Sequence, residues 1–375
     1  MLFQNGRVFT GAGKFERVDV RVNGELISEI GEHLSANGEE IVDLGGKKLV
    51  PGFIDIHTHG CGGYDFCDGT QEAFQGMADT YLKAGVTTVL GTSMTLPVGK
   101  LTEIFSAYHA FADSQTRGAR MIGINMEGPF LSVAKKGAHI AEYVIPADMA
   151  AFTALNEASG GRIKLVDVAP EIPGNLDFIR EASKVCTVCV AHTAGGYEDA
   201  MAAYEAGAKS NTHLYNAMSG FSHRAPGVVG AVFDSDTFAE LICDGFHIHP
   251  AVIRTTFKVL GEDRVCLISD SLRAAGCPNG IYELGGQQVH VEDGKATLEN
   301  GTIAGSVIDS RIAVQRAVRF GVPEEAVLKA ATINPARAIG IDHLTGSIAP
   351  GKWADLLVAG DDYTLEAIYQ GGVRQ

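Results

Sequence analysis

No stretch of this chain approaches the roughly 18 consecutive apolar residues that a membrane helix requires, so a spanning segment is not expected. Positive charge is scarce as well: 30 Lys and Arg stand against 45 Asp and Glu, a formal net charge of −15. Without a basic stripe to displace counterions, nucleic acid and anionic membrane surfaces are excluded as main partners. A few local cations could still hold a small anionic substrate. The first residues, Met1-Leu2-Phe3-Gln4-Asn5-Gly6-Arg7, lack a basic segment followed by an apolar core, and no secretion signal is expected. Cysteine is sparse and odd in number, seven in 375 residues, which suits reduced thiols in a cytoplasmic protein better than a disulfide framework. Cys186 and Cys189 form a C-x-x-C, but in a strand-like run their spacing puts them on opposite faces, so they read as filler of a buried strand. What remains is ordinary for a soluble globular enzyme: 46% apolar and 20% charged residues, in a chain long enough for one large domain or a large and a small one.

The ends of the chain differ from its middle. Residues 1–50 alternate and turn often, with strand-like runs at Asn5–Thr10, Val18–Val22, Leu26–Ile30 and Gly45–Val50. Residues 346–375 resemble them, with runs at Gly346–Gly351, Ala354–Val358 and Leu365–Tyr369, and the two ends are expected to pair as one small β-sandwich domain. Between them, residues 51–345 alternate apolar strand-like runs with amphipathic helical ones. The strand-like runs are Phe53–His59, Val86–Met94, Met121–Glu127, Ile163–Glu171, Cys186–His192, Ala208–His213, Ala239–His247 and Val265–Asp270. Eight β/α alternations, almost every strand ending in a polar or charged residue, predict an α/β protein built on a (β/α)8 TIM barrel with its site at the C-terminal face. The competitor, an open doubly wound sheet, has no Gly-x-Gly-x-x-Gly at its first helix to support it. The turn-rich segment 280–304 reads as a β-hairpin insertion after the eighth strand.

A closed barrel brings those strand ends to one mouth. Strand one supplies His57 and His59, a His-x-His pair whose side chains share a face. Alone, such a pair also occurs by chance on a solvated edge. Here it is joined by Glu127, His192, His213, His247 and Asp270 from strands three, five, six, seven and eight. Neutral imidazoles with a carboxylate fit nitrogen and oxygen ligation of zinc or iron(II) with positions left for water and substrate. The acid ending the last strand could act as general base beside such a metal.

At these residues a resemblance becomes clear. The run Pro51-Gly52-Phe53-Ile54-Asp55-Ile56-His57-Thr58-His59-Gly60 is similar to the opening signature of the amidohydrolase superfamily. Four further stretches narrow the likeness to the N-acetylglucosamine-6-phosphate deacetylase family within it. They are Met126-Glu127-Gly128-Pro129-Phe130 with Lys136-Gly137-Ala138-His139, Ala191-His192-Thr193, Thr212-His213-Leu214-Tyr215-Asn216-Ala217-Met218 and Asp244-Gly245-Phe246-His247. The resemblance runs end to end. It implies that Glu127, His192 and His213 hold the principal metal, and that His57 and His59 form a second site that some members lack. One or two divalent metals per subunit, zinc or iron, are thus expected, with Glu127 bridging. Asp270 matches the catalytic acid, although Ser269-Asp270-Ser271 stands where Thr-Asp-Ala is usual. No lysine ends the Glu127 strand, which separates the chain from members that use a carboxylated lysine.

The same resemblance places His139, Asn216, Ala217, Arg224, His247, Ile303 and Ala304 at the substrate, with Gly305 beside the last two. Arg224 would reach the neighbouring subunit's site, implying a homodimer with shared sites. A guanidinium and imidazoles would make a local positive pocket for a phosphate on an acidic protein. His223 and His249 match no family role. The implied reaction is hydrolysis of the N-acetyl amide of N-acetyl-D-glucosamine 6-phosphate to the free amine and acetate, in amino-sugar catabolism or recycling. Rival expectations are the galactosamine epimer as substrate, a cyclic-amide or N-acyl-amino-acid hydrolase of the same superfamily, and a non-catalytic sugar-phosphate sensor.

Overall fold

The structure is a computed structural model and describes residues 1–375. Its centre is an eight-stranded parallel sheet of Phe53–Asp55, Val86–Ser93, Arg120–Met126, Ile163–Val168, Thr187–Val190, Ser210–Asn211, Phe238–Ile242 and Val265–Ile268, each strand paired with the next in chain order. This is the predicted barrel, nearly closed, with each strand inside or overlapping its expected run. The strands stop short of the residues that end those runs. His192, His213 and Asp270 have φ of 41°, 30° and 48°. That left-handed backbone cannot continue a ladder, so the chain leaves the sheet just before it presents each side chain.

Strands one and eight form no ladder with each other. Their seam is joined above the strands instead: the Asp270 N–H donates to the His57 carbonyl at 2.9 Å and the His59 N–H to the Ser271 carbonyl at 2.8 Å. The fully buried Asp55 carboxylate accepts from the Ser269 N–H at 3.3 Å and the Ser310 hydroxyl at 2.9 Å across the same seam.

Helices wrap the barrel because their apolar residues recur on one face. In Gln71–Lys83 the buried Phe74, Met77, Ala78 and Tyr81 follow an i, i+3, i+4, i+7 pattern, and the Thr70 side chain caps the start by accepting the Ala73 N–H. A core of 65 buried residues lies largely between helices and barrel. A second cluster fills the barrel lumen from below, joining Ile54, Leu90, Leu165, Cys189 and Ile268 to Ala336 and Ile339. Cys189 is buried there while Cys186 is half-buried against the outer core, and all seven cysteines are free thiols.

The chain ends build two further sheets. One has the order Leu26–Gly31, Asp19–Asn23, Leu2–Gln4, Ile41–Asp43; the other runs Val373–Arg374, Leu365–Gln370, Leu356–Ala359, Lys48–Pro51, Arg7–Phe9, Phe15–Glu16. In the second, Leu356–Ala359 pairs antiparallel with Lys48–Pro51, and a cluster of 12 buried residues, Phe3, Val20, Leu49 and Leu356 among them, joins the two sheets. The expected strand at 346–351 is reduced to a single bridge between Thr10 and Ile348.

The insertion after strand eight has three strands where a two-stranded hairpin was expected: Gly280–Leu284, Gln287–Glu292 and Lys295–Thr297. Both its turns have two residues at positive φ, Gly285-Gly286 and Asp293-Gly294, and it is the second that folds the extra strand back. Leu284, Val289, Val291 and Ala296 pack under it against Met94, Leu272 and Ala304.

Candidate metal centre and active site

At the C-terminal face of the barrel lies a cavity of about 450 Å³. It is lined by His59, Glu127, His139, His192, His213, Asn216, Ala217, His247, Asp270, Ile303 and Ala304, all singled out from the sequence. His57 lies fully buried beneath the wall. Arg224 is the exception. It sits on an exposed loop away from the cavity and makes no hydrogen bond or ion pair within the chain. Of the two unassigned histidines, His223 is exposed, and His249 caps the helix Pro250–Leu260 by accepting the Ala251 N–H.

Glu127 is the hub. Its Oε1 lies 3.0 Å from His192 Nε2 and 3.1 Å from His213 Nε2, and the two imidazole nitrogens are themselves 3.1 Å apart. Its Oε2 lies 3.2 Å from His59 Nε2 and 3.4 Å from His139 Nε2. Two groups can therefore each hold a metal ion, Glu127 with His192 and His213, and Glu127 with His57 and His59, the carboxylate shared between them. Asp270 closes the ring, with Oδ1 3.4 Å from His59 Nε2 and 3.7 Å from His57 Nε2.

The electrostatics favour a cation. Burial opposes ionisation of Glu127, but the surrounding imidazoles outweigh it and hold the carboxyl well below its usual range. Burial likewise pulls the His59 imidazolium down, yet Glu127 and Asp270 lift it to about 10. A site that binds a proton this firmly is one where the field of two buried carboxylates calls for positive charge. His57 Nε2, buried in the centre of the cluster, has no hydrogen-bond partner of its own. A buried polar atom so placed fits a metal ligand. His139 behaves differently: burial depresses it to about 4 despite Glu127, so it is neutral near pH 7.

The ligands are oriented from behind. His192 Nδ1 donates to the Lys135 carbonyl at 2.8 Å, and His57 Nδ1 lies 2.9 Å from Glu240 Oε2. His247 Nδ1 lies 2.6 Å from Asp244 Oδ2, and although burial opposes its charge, that carboxylate raises its pKa. Strain marks the same places, for the left-handed backbone of His192 and His213 recurs at Tyr215 (φ 80°) and Ala217 (φ 53°). Ala217 keeps its N–H free of any partner in the chain.

Three residues here were missed in the sequence. Lys135 is the only lysine or arginine on the cavity wall, Glu240 and Asp244 are the buried partners of His57 and His247. The available signal was weak: Glu240 is a single acid in the apolar run Phe238-Ala239-Glu240-Leu241-Ile242, and Lys135 opens the Lys-Lys-Gly loop.

Comparison with known proteins agrees with this geometry. The profile of the amidohydrolase family matches residues 49–372. An N-acetylglucosamine-6-phosphate deacetylase of Lysinibacillus sphaericus is 32% identical over 376 residues, 99% of this chain and 97% of that protein. An N-acetylgalactosamine-6-phosphate deacetylase of Escherichia coli O157:H7 is 33% identical, covering 98% and 97%. Among solved structures, a mutant N-acetyl-D-glucosamine-6-phosphate deacetylase from Mycobacterium smegmatis in complex with N-acetyl-D-glucosamine-6-phosphate superposes with a TM-score of 0.94 at 29% identity, covering 100% and 98% of the two chains.

Proposed function

The chain belongs to the amidohydrolase family, and from that premise we propose that it hydrolyses the N-acetyl group of N-acetyl-D-glucosamine 6-phosphate, giving D-glucosamine 6-phosphate and acetate. The observation that carries this reading is the Glu127–His192–His213 cluster beside Asp270 on the wall of a sugar-sized cavity. Glu127, His192 and His213 would hold a principal divalent metal, zinc or iron, and His57 and His59 with Glu127 a second. A divalent cation bound there supplies Lewis acidity, lowering the pKa of water and polarising an acyl oxygen.

The rest follows from the chain's own groups. Asp270 takes the proton that the attacking water gives up and returns it to the departing nitrogen, so one water is consumed and acetate and amine leave. Neutral His139 donates a hydrogen bond to the acyl oxygen or a sugar hydroxyl as charge builds. The free Ala217 N–H receives the phosphate, with Asn216, whose own N–H donates to the His213 carbonyl at 2.9 Å, and His247 beside it. The grip on phosphate, remote from the carbon under attack, orients the amide and raises turnover as well as affinity. Ile303 and Ala304, carried by the three-stranded insertion, cover the sugar. Arg224, exposed and unpaired in its own chain, reaches the partner's phosphate in a homodimer. The two terminal sheets act as one β-sandwich domain of residues 1–50 and 346–375 flanking the barrel of 51–345, in a cytoplasmic enzyme.

Acetate release from a panel of substrates tests the reading. N-acetylglucosamine 6-phosphate should turn over fastest and a chelator should abolish it. The galactosamine epimer as the better substrate would correct the sugar. Unchanged release under chelation, or equal turnover of unphosphorylated N-acetylglucosamine, would overturn the mechanism.

A further inference from the structure

Glu240 is 0% exposed, on barrel strand seven, and takes no part in the chemistry above. Its Oε2 lies 2.9 Å from His57 Nδ1 and accepts the His213 N–H at 3.3 Å, while Oε1 has no partner. No lysine or arginine pairs with it, and its one ion-pairing neighbour is His57. A carboxylate withdrawn from water needs a compensating charge. Across the His57 ring, Nε2 faces Glu127 Oε1 at 3.6 Å and Asp270 Oδ1 at 3.7 Å. A neutral imidazole carries one N–H, so a proton committed to Glu240 leaves the lone pair on Nε2, aimed between two carboxylates.

The other ligands are not treated alike. His192 is oriented by a carbonyl, and the buried Nδ1 atoms of His59 and His213 have no partner. Only His57 has an anionic partner at Nδ1. Asp167, a second acid in the lumen, accepts the Thr212 hydroxyl at 2.8 Å and makes no hydrogen bond to any of the ligands.

We propose that Glu240 is the positioning residue of the His57 side of the centre: by accepting the Nδ1 proton it fixes the tautomer whose Nε2 binds a second divalent cation. The proposal rests on the two-metal reading of the previous subsection. It makes Glu240 a carboxylate–histidine–metal partner, and such partners typically change metal affinity by about 10–100-fold.

The test is zinc binding to chelator-stripped protein, read by elemental analysis and by competition with a chromogenic chelator. Wild type should take two equivalents. Glu240→Gln should weaken the second by about 10–100-fold and leave the first unchanged, while Asp167→Asn should change neither. In a His57→Ala background Glu240→Gln should add no further loss. Two equivalents at unchanged affinity in Glu240→Gln, equal weakening of both, or additive losses with His57→Ala would each overturn the proposal. A measurement on unmutated protein covers a variant that does not fold: nitrogen-15 spectra should show His57 protonated at Nδ1, and a proton at Nε2 of the zinc-loaded enzyme would overturn it. A wild type that binds a single equivalent would overturn it too, yet chelator-sensitive acetate release by that same preparation would leave the proposed reaction standing.

Discussion

Asp270→Asn separates chemistry from structure more cleanly than any other change at the site. Asp270 holds the seam between strands one and eight through its N–H to the His57 carbonyl at 2.9 Å, and its own carbonyl accepts the Ser306 N–H at 2.7 Å. Both bonds are backbone bonds and survive the substitution. Its φ of 48° is a conformation that asparagine adopts readily, whereas alanine there adds strain of roughly 1 kcal/mol. Asparagine thus keeps shape and backbone but cannot accept a proton. Positioned acid–base groups contribute about 10²–10⁴-fold, or about 2.7–5.4 kcal/mol of barrier, and kcat should fall by that factor. The four histidines and Glu127 are untouched, so metal content should stay at the wild-type value. The assay is steady-state acetate release from N-acetylglucosamine 6-phosphate, with elemental analysis of the same sample. A kcat within tenfold of wild type at full metal content would remove Asp270 as the proton carrier.

Three further outcomes are expected. Although burial opposes its charge, Asp244 raises the His247 pKa above its ordinary value, so the ring keeps its proton to higher pH than a free imidazole would. KM for the phosphorylated substrate should therefore climb on the alkaline side, and Asp244→Asn should move that climb to lower pH; identical KM profiles would count against His247 as a phosphate contact. Arg120→Leu strands the Asp355 carboxylate, whose side chain is 0% exposed and takes bonds of 2.7 and 2.6 Å from Arg120 Nη1, and urea unfolding should show a loss of about 3–5 kcal/mol. Burial already sets the Asp355 pKa above its ordinary value despite Arg120. A folded-state pKa above the unfolded one means stability present at low pH and lost as pH rises through it, so the deficit should be larger at pH 8 than at pH 5; a pH-independent deficit would refute this. Arg224→Ala should raise KM for the phosphorylated sugar and spare an unphosphorylated analogue, and equal effects on both would detach Arg224 from the phosphate.

The barrel was legible because most of its strands are apolar runs of parallel-sheet character, and all but the second run, which stops at Met94, end at a histidine or an acid. Glu127, His192 and Asp270 could be found because each closely follows an apolar strand, whereas His213 follows the polar run Lys209-Ser210-Asn211-Thr212 and was legible through the stretch Thr212–Met218. Where the ladders would stop was not legible, because that depends on left-handed backbone at His192, His213 and Asp270, which hydrophobic patterning does not encode. The third strand of the insertion was overlooked although Asp293-Gly294 signals a second hairpin turn. Glu240 was out of reach for a different reason. Its partner His57 is 183 positions away, and only closure of the barrel brings the two together.

The pairing of Leu356–Ala359 with Lys48–Pro51 has a consequence in time. Until the ribosome has delivered Leu356–Ala359, the edge of Lys48–Pro51 has backbone groups with no ladder to join on that side. At about 5–20 residues per second, the roughly 300 residues between the two strands take on the order of 15–60 s to synthesise. Over that interval the terminal sheet exposes an unfinished edge, and pairing so distant in sequence makes its closure slow. Closure of this sheet therefore waits on the synthesis of Leu356–Ala359, and a nascent chain that has not yet reached those residues is the form most exposed to aggregation.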